Sequence, residues 1–246
     1  MKIVLKILRF QPDKAAEPYF EKFEVEADPG SRLLDALVHI QRRIDPTLAL
    51  RKSCGHGVCG SDAMVINGKE RLACKTLVKD AAGGEGAEVT IEPLRSLPVL
   101  RDLIVKQDRF FETYRSVKPF LIEGDEPPER ERLQSPDEHR KIDEATDCIL
   151  CAACYSACPV VQTVNPEFIG PAAVVQAFRF QEDSRDRGFE ERLAVLDRPN
   201  GVWPCENRFE CTRVCPRGIK VTKHINLTKK HITEFRGGRG EKKAGT

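Results

Sequence analysis

Cys148, Cys151, Cys154 and Cys158 form the run CxxCxxCxxxC followed by Pro159. Cys205, Cys211 and Cys215, followed by Pro216, repeat that spacing with Arg208 standing where the second cysteine would be. Thiolates spaced this way on tight turns converge on an iron-sulfur cluster, and the fourth cysteine of such a run ligates the other cluster in two-cluster proteins. Exchanging the fourth ligands gives Cys148, Cys151, Cys154 and Cys215 for one site and Cys158, Cys205 and Cys211 for the other. Four thiolates suit [4Fe-4S], and three suit [3Fe-4S]. An iron without a protein thiolate can be lost, and the three-iron cluster that then remains has no open metal for Lewis-acid catalysis, so such a centre passes electrons. Zinc also accepts four thiolates at CxxC spacings and is the competing chemistry. Against it, zinc sites seldom use this run twice with such an interlock.

A third group, Cys54, Cys59 and Cys74, comes close to the plant-type CxxxxCxxC...C spacing of [2Fe-2S] sites, with Asp62 at the third position. A carboxylate can ligate iron, and the alternative is a solvated loop aspartate. Counting favours the ligand: ten cysteines and Asp62 fill the three sites with no cysteine left over. Gly55, Gly57 and Gly60 allow the backbone to wrap closely around the sulfurs and aim N–H groups at them. His56 lies in the same loop, but Cys54 and Cys59 already satisfy the spacing, so it reads as a loop residue.

The elements that must position these thiols fall into two halves. Alternating apolar residues predict strands over 2–10 and 19–27, with Pro12 and Pro18 bracketing the turn. Leu33, Leu34, Leu37, Val38, Ile40 and Ile44 recur at helical spacing behind Ser31, a candidate N-cap, and this helix is expected to cover the sheet. Asn67-Gly68 predicts a hairpin turn between Met64–Ile66 and the return to Cys74, and 88–92 reads as a further strand. From Val99 the pattern reads as helical through about Val117, with Phe110, Phe111 and Tyr114 as core. Residues 118–136 read as an exposed connection, Pro171 opens a helix, Ile225, Ile232 and Phe235 mark a final one, and 237–246 should be disordered. The fold class is therefore α+β: a plant-type ferredoxin-like (β-grasp) domain over 1–105, and an all-α domain of bacterial ferredoxin-like two-cluster type over 106–246.

Composition narrows the function classes. Net charge of +2 from 40 basic and 38 acidic residues argues against a general nucleic-acid binder. No apolar run approaches the ~20 residues that span a bilayer, and MKIVLKILRF lacks the apolar block of an export signal. In an intracellular chain, cysteines at these short spacings are expected to be metal ligands, because the cytosol keeps thiols reduced. The basic run from Arg217 onward reads either as a solvated tail or as a surface for anionic lipid.

The segments SCGHGVCGSDAMVINGKERLAC from Ser53 to Cys74, IEPLRSLPVLRDLIV from Ile91 to Val105, CILCAACYSACP from Cys148 to Pro159, FIGPA from Phe168 to Ala172 and CTRVCPRGI from Cys211 to Ile219 closely resemble the iron-sulfur subunit of succinate dehydrogenase and fumarate reductase, the respiratory complex II family. The resemblance covers nearly the whole chain, and the aspartate variant of the [2Fe-2S] loop occurs in that family. It implies a succinate:quinone oxidoreductase subunit that passes electrons from FAD on a flavoprotein subunit, through [2Fe-2S], [4Fe-4S] and [3Fe-4S], to quinone at a membrane anchor. It also implies no dicarboxylate site on this chain, haem b as a candidate cofactor of the anchor, and a peripheral place on the cytoplasmic face of the inner (plasma) membrane. The fumarate-reducing direction, or another flavin-linked dehydrogenase, is the alternative. The family's quinone-side tryptophan and histidine do not carry over, since Val160, Val161, Gln162 and Thr163 follow Pro159, and Glu206 follows Cys205. Pro159, Trp203 and Glu206 are the remaining quinone-side candidates.

Overall fold

The computed structural model describes residues 1–13, 17–124 and 129–243, with side chains described as far as residue 238. In chain order the elements are β1 (Lys2–Arg9), β2 (Tyr19–Glu26), α1 (Leu33–His39), β3 (Ala63–Ile66), β4 (Lys69–Leu72), α2 (Val78–Ala82), β5 (Glu88–Glu92), β6 (Val99–Arg101), β7 (Ile104–Val105), α3 (Asp108–Ser116), α4 (Pro136–Thr146), α5 (Ala153–Ser156), α6 (Pro171–Gln181), α7 (Phe189–Leu196), α8 (Glu210–Arg213) and α9 (Val221–Lys243). Two compact units result. The first holds Met1–Arg109 together with Ile149–Ala157 and Val214–Pro216; the second holds Phe110–Cys148, Cys158–Arg213 and the chain from Arg217 on.

In the first unit the strands form one mixed sheet in the order β2-β1-β5-β3-β4, with β1 and β5 parallel and the other pairs antiparallel. Ile3, Leu5 and Ile7 alternate inward along β1, as a period of two requires when one face is buried. Leu33, Leu34 and Leu37 of α1 are also buried, and α1 packs on the turn Ala73–Lys75. Burying each such side chain contributes about 1.5–3 kcal/mol. A π-helical turn, Ile40–Ile44, extends α1 and closes with Asp45 N–H donating to the Ile40 carbonyl at 2.8 Å. The N-cap position is Arg32, not Ser31. The Asp35 carboxylate accepts from the Arg32 N–H, while the Ser31 hydroxyl is turned back to donate to the Asp28 carbonyl. Asn67 and Gly68 take positive φ (49° and 78°), as a two-residue hairpin turn demands.

Val99–Val105 departs from the helical reading: it is the β6-β7 hairpin, and a helix begins only at Asp108. The reason is tertiary. Asp102, fully buried and at φ 45°, accepts from Arg9 Nε at 3.1 Å and from the N–H groups of Phe10 and Ala49 at 3.0 and 2.8 Å. Arg9, also fully buried, bonds Glu21 and Asp45 as well. A helix over 99–105 would withdraw Asp102 from these donors and leave a buried guanidinium short of a partner.

Among its described residues the second unit has helices joined by loops and no strand. Its centre is α6, which opens with Pro171 and is buried on nearly all sides, as a helix apolar around its circumference must be. Both α9 and α4 pack on it, and His224 of α9 stacks on Phe178 with ring centroids 4.5 Å apart. Arg192 is fully buried, pairs with Asp186, and donates to the carbonyls of Lys118 and Phe120. It thereby pins part of a connection whose composition reads as loop; residues 125–128 of that connection lie outside the described residues. Helix α9 continues through Gly237 and Gly238 to Lys243, where disorder is expected from composition. Once a packed helix is nucleated, propagation adds one hydrogen bond per residue fixed, and two glycines do not outweigh that.

Candidate metal centres

The loop between Ser53 and Ala63 is built to hold sulfur in its charged form. Gly55, Gly57 and Gly60 have φ of 68°, 74° and 68°, and these left-handed turns fold the backbone over the thiols. Cys54 Sγ lies 3.1 Å from Cys59 Sγ, and the His56 N–H donates to Cys54 Sγ at 3.3 Å. That N–H, then the contact with Cys59 and the N–H groups of Val58 and Cys59, pull the Cys54 thiol down to about 6. His56 acts here through its backbone, and its side chain is exposed. The Arg32 guanidinium donates to the Gly55 carbonyl and braces the loop from α1.

Cys74 enters from the turn after β4 and is buried, as is Asp62. One Asp62 carboxylate oxygen accepts from the Cys74 N–H at 2.5 Å. Burial, then the hydrogen bond and charge of Asp62, push the Cys74 thiol up to about 12, with Cys54 adding to the rise. So Asp62 and Cys54 both act on Cys74, and Asp62, being buried, is not a solvated loop residue.

In the second unit, Cys158, Cys205 and Cys211 line one narrow recess, with Phe168, Pro171 and Ile225 on its apolar side. Burial pushes the Cys158 thiol up against the opposing N–H groups of Val161 and Val160, and the charges of Cys205 and Glu206 add to it. Burial likewise raises Cys211 to about 11, although Thr222 donates to it; Cys158 and Cys205 contribute. Cys158 thus feels Cys205, and Cys211 feels both. The Lys229 ammonium donates to the Cys205 carbonyl at 2.9 Å, fixing that ligand loop to α9. Asn207 and Phe209 both take left-handed φ (57° and 64°) on either side of Arg208. For a bulky residue such as Phe209 this is a true outlier, of the kind that persists where surroundings over-determine the backbone. Arg208 forks onto Glu206 at 3.0 and 3.1 Å.

Among the remaining cysteines, Cys151, Cys154 and Cys215 belong to the first unit and Cys148 to the second. Leu150 and Ala152 are left-handed (φ 53° and 62°), alternating with the cysteines of the run. Among the quinone-side candidates, Pro159 and Glu206 line the recess. Trp203 does not; its Nε1 donates to Asp197 at 2.9 Å and the Arg236 guanidinium lies 5.3 Å from its ring centroid. Thr222 and Phe209 of the recess escape sequence reading. Thr222 lies eleven residues beyond Cys211 on another helix, whereas Phe209, a large apolar residue between two ligand positions in a polar loop, is a signal that could have been read.

Among the described residues no three His, Cys, Asp or Glu side chains close tightly enough to hold a single ion. The donor sets fit clusters: sulfur with backbone N–H donors in the first loop, and three thiols around an apolar recess in the second unit.

A family described as "2Fe-2S iron-sulfur cluster binding domain" matches residues 4–112, and one described as "4Fe-4S dicluster domain" matches residues 144–219. The succinate dehydrogenase iron-sulfur subunit of Coxiella burnetii is 42% identical over 91% of this chain and 94% of its own. The fumarate reductase iron-sulfur subunit of Mycobacterium tuberculosis is 38% identical over 96% and 99%. A solved chain of the Mycobacterium smegmatis Sdh1 complex in the apo form superposes with a TM-score of 0.85 at 28% identity, covering 95% of this chain and 96% of that one. The chain belongs to the family of iron-sulfur subunits of succinate dehydrogenase and fumarate reductase, and its work is electron transfer within such an oxidoreductase.

Proposed function

We propose that this chain carries [2Fe-2S] on Cys54, Cys59, Asp62 and Cys74, [4Fe-4S] on Cys148, Cys151, Cys154 and Cys215, and [3Fe-4S] on Cys158, Cys205 and Cys211. It passes electrons between the FAD of a flavoprotein partner and quinone at a membrane anchor. When bound, the clusters supply a series of one-electron sites, which divide a span too long for a single transfer. The chain's own residues hold the thiolates, aim N–H donors at them and exclude water. The observation that carries the reading is the grouping of Cys158, from the first run, with Cys205 and Cys211, from the second, around one recess.

Pro159 and Glu206 form part of the wall of that recess and are the quinone-side residues of this reading; Trp203 serves instead to join α7 to α9. No described helix is long and apolar enough to cross a membrane, and attachment on the cytoplasmic face through the anchor is part of the proposal. Single replacements of Cys158 and Cys215 by alanine test it. Cys158→Ala is expected to abolish the oxidised three-iron EPR signal and spare the four-iron one; Cys215→Ala is expected to do the reverse. If each replacement instead damages the cluster of its own run, the exchange of fourth ligands is wrong.

A further inference from the structure

The loop that carries Cys59 does not end in open space. Gly60 is buried, and a Cβ built on it would lie 2.6 Å from Cys151 Cβ, 2.8 Å from Cys151 Cα and 3.2 Å from Cys151 N. Two of these three atoms are backbone, so the overlap could not be relieved by turning a flexible side chain. The bare Cα of Gly60 therefore sits in contact with Cys151, the residue after one cluster's ligand touching the next cluster's ligand. Both belong to the first compact unit, although about ninety residues of chain separate them.

The approach is fastened from a second side. The Arg95 N–H donates to Ser156 Oγ at 2.7 Å, and that hydroxyl donates to Glu70 Oε1 at 2.9 Å. Glu70 and Ser156 are buried, and the Arg95 guanidinium stands 3.8 Å from the Glu70 carboxylate. Glu70 lies on β4 and Ser156 ends α5, so the short helix bearing Cys154 is bolted to the same hairpin that leads to Cys74.

We propose that Gly60 is a positioning residue for the electron relay: its missing side chain sets the gap between the [2Fe-2S] and [4Fe-4S] ligand shells, and the Glu70-Ser156-Arg95 clamp holds that gap. The inference rests on the ligand assignment above. The step it serves is the transfer of one electron from the reduced first site to the oxidised second, with no bond formed or broken. Its rate falls exponentially with the width of the gap, so added bulk at Gly60 slows it where bulk elsewhere in the loop would not.

The test uses the full complex, with Gly60→Ala, Gly60→Asn and Gly55→Ala compared. Gly55 has the same φ of 68° but only Arg32 Nη1 near its Cβ position, at 3.6 Å. Gly55→Ala thus puts equal backbone strain into the same loop without overlap. Asn tolerates the left-handed conformation and keeps the overlap. Iron and acid-labile sulfide give the cluster content of each variant. EPR power saturation of the reduced [2Fe-2S] signal then reads its distance from the reduced [4Fe-4S], whose spin speeds its relaxation. Both Gly60 variants are expected to retain [2Fe-2S] and to saturate at several-fold lower power than the wild type, with Gly55→Ala relaxing as the wild type does. Wild-type relaxation in a cluster-replete Gly60 variant overturns the proposal. So does equal loss of [2Fe-2S] in Gly60→Ala and Gly55→Ala, which would make the backbone conformation the sole reason for glycine. A wild-type protein without iron-sulfur clusters would overturn the ligand assignment itself, a separate failure.

Discussion

Asp62 occupies the third position of a four-ligand loop, and its surroundings distinguish two roles. It is buried, and it holds the Cys74 N–H through one carboxylate oxygen. In the proposed ligand set the carboxylate is already desolvated and oriented, which lowers the cost of closing the site. Asp62→Ala is expected to shift or abolish the reduced [2Fe-2S] EPR signal, while Asp62→Cys restores a four-sulfur spectrum; an unaltered signal in Asp62→Ala would make the residue a structural bystander. Arg208 is the complementary case, a position where the run lacks a ligand. Its neighbours Asn207 and Phe209 already hold the left-handed backbone of a ligand loop. Arg208→Cys is expected to convert the three-iron signal into that of a four-iron centre, and an undiminished oxidised three-iron signal would contradict that. At this scale the iron-sulfur chemistry was legible, because cysteine spacing is itself the geometry of a cluster site, and which thiols share a cluster is the proposal that the replacements test. The contact of Gly60 with Cys151 was not, since no local pattern records which distant residue will lie against a glycine.

At the scale of elements, the signals that were read correctly are local ones. Asn67-Gly68 needs two left-handed residues, Pro171 needs no hydrogen-bonded N–H, and Ile3, Leu5 and Ile7 need one buried face. The β6-β7 hairpin failed because its cause lies in Arg9, some ninety residues away in sequence. Asp102→Ala is therefore expected to destabilise the first unit by about 3–5 kcal/mol, because it takes one of three carboxylates from the buried Arg9 guanidinium and leaves the Phe10 and Ala49 N–H groups without their acceptor. Chemical denaturation followed by loss of [2Fe-2S] absorbance measures this, and a change below ~1 kcal/mol, the median worth of an exposed pair, would contradict it. The same network carries a pH dependence. Burial raises the Asp45 carboxyl, but hydrogen bonds from Thr47 and Arg9 outweigh it and hold it below its usual value of 3.8. A depressed carboxylate contributes stability that is fully present above its unfolded pKa and is lost as pH falls through the folded one. Asp45→Asn should thus be less stable than the wild type at neutral pH, with the difference shrinking below about pH 3.8.

The chain divides into two compact units, and residues of the first cysteine run fall in both. Residues 149–157 join the unit built on the mixed sheet, and the chain then returns to the helical unit at Cys158. A single cut near residue 105, natural from composition, does not capture that crossing, because the shift from strands to helices in sequence says nothing about where a cysteine segment docks. Cys158 leaves with the helical unit, which also holds Cys205 and Cys211, and this supports the proposed exchange of ligands between the runs. The central claim is that the three groups of sulfur ligands hold three different clusters in one electron path. The most direct test is anaerobic purification of the complex, with iron and sulfide analysis and EPR of the oxidised and stepwise-reduced protein. Iron and acid-labile sulfide in the proportions of one cluster of each kind are expected, with a three-iron signal when oxidised and a [2Fe-2S] signal that grows on adding succinate. A protein that binds zinc in place of iron, or whose three-iron and [2Fe-2S] signals both fail to respond to succinate, would contradict the account.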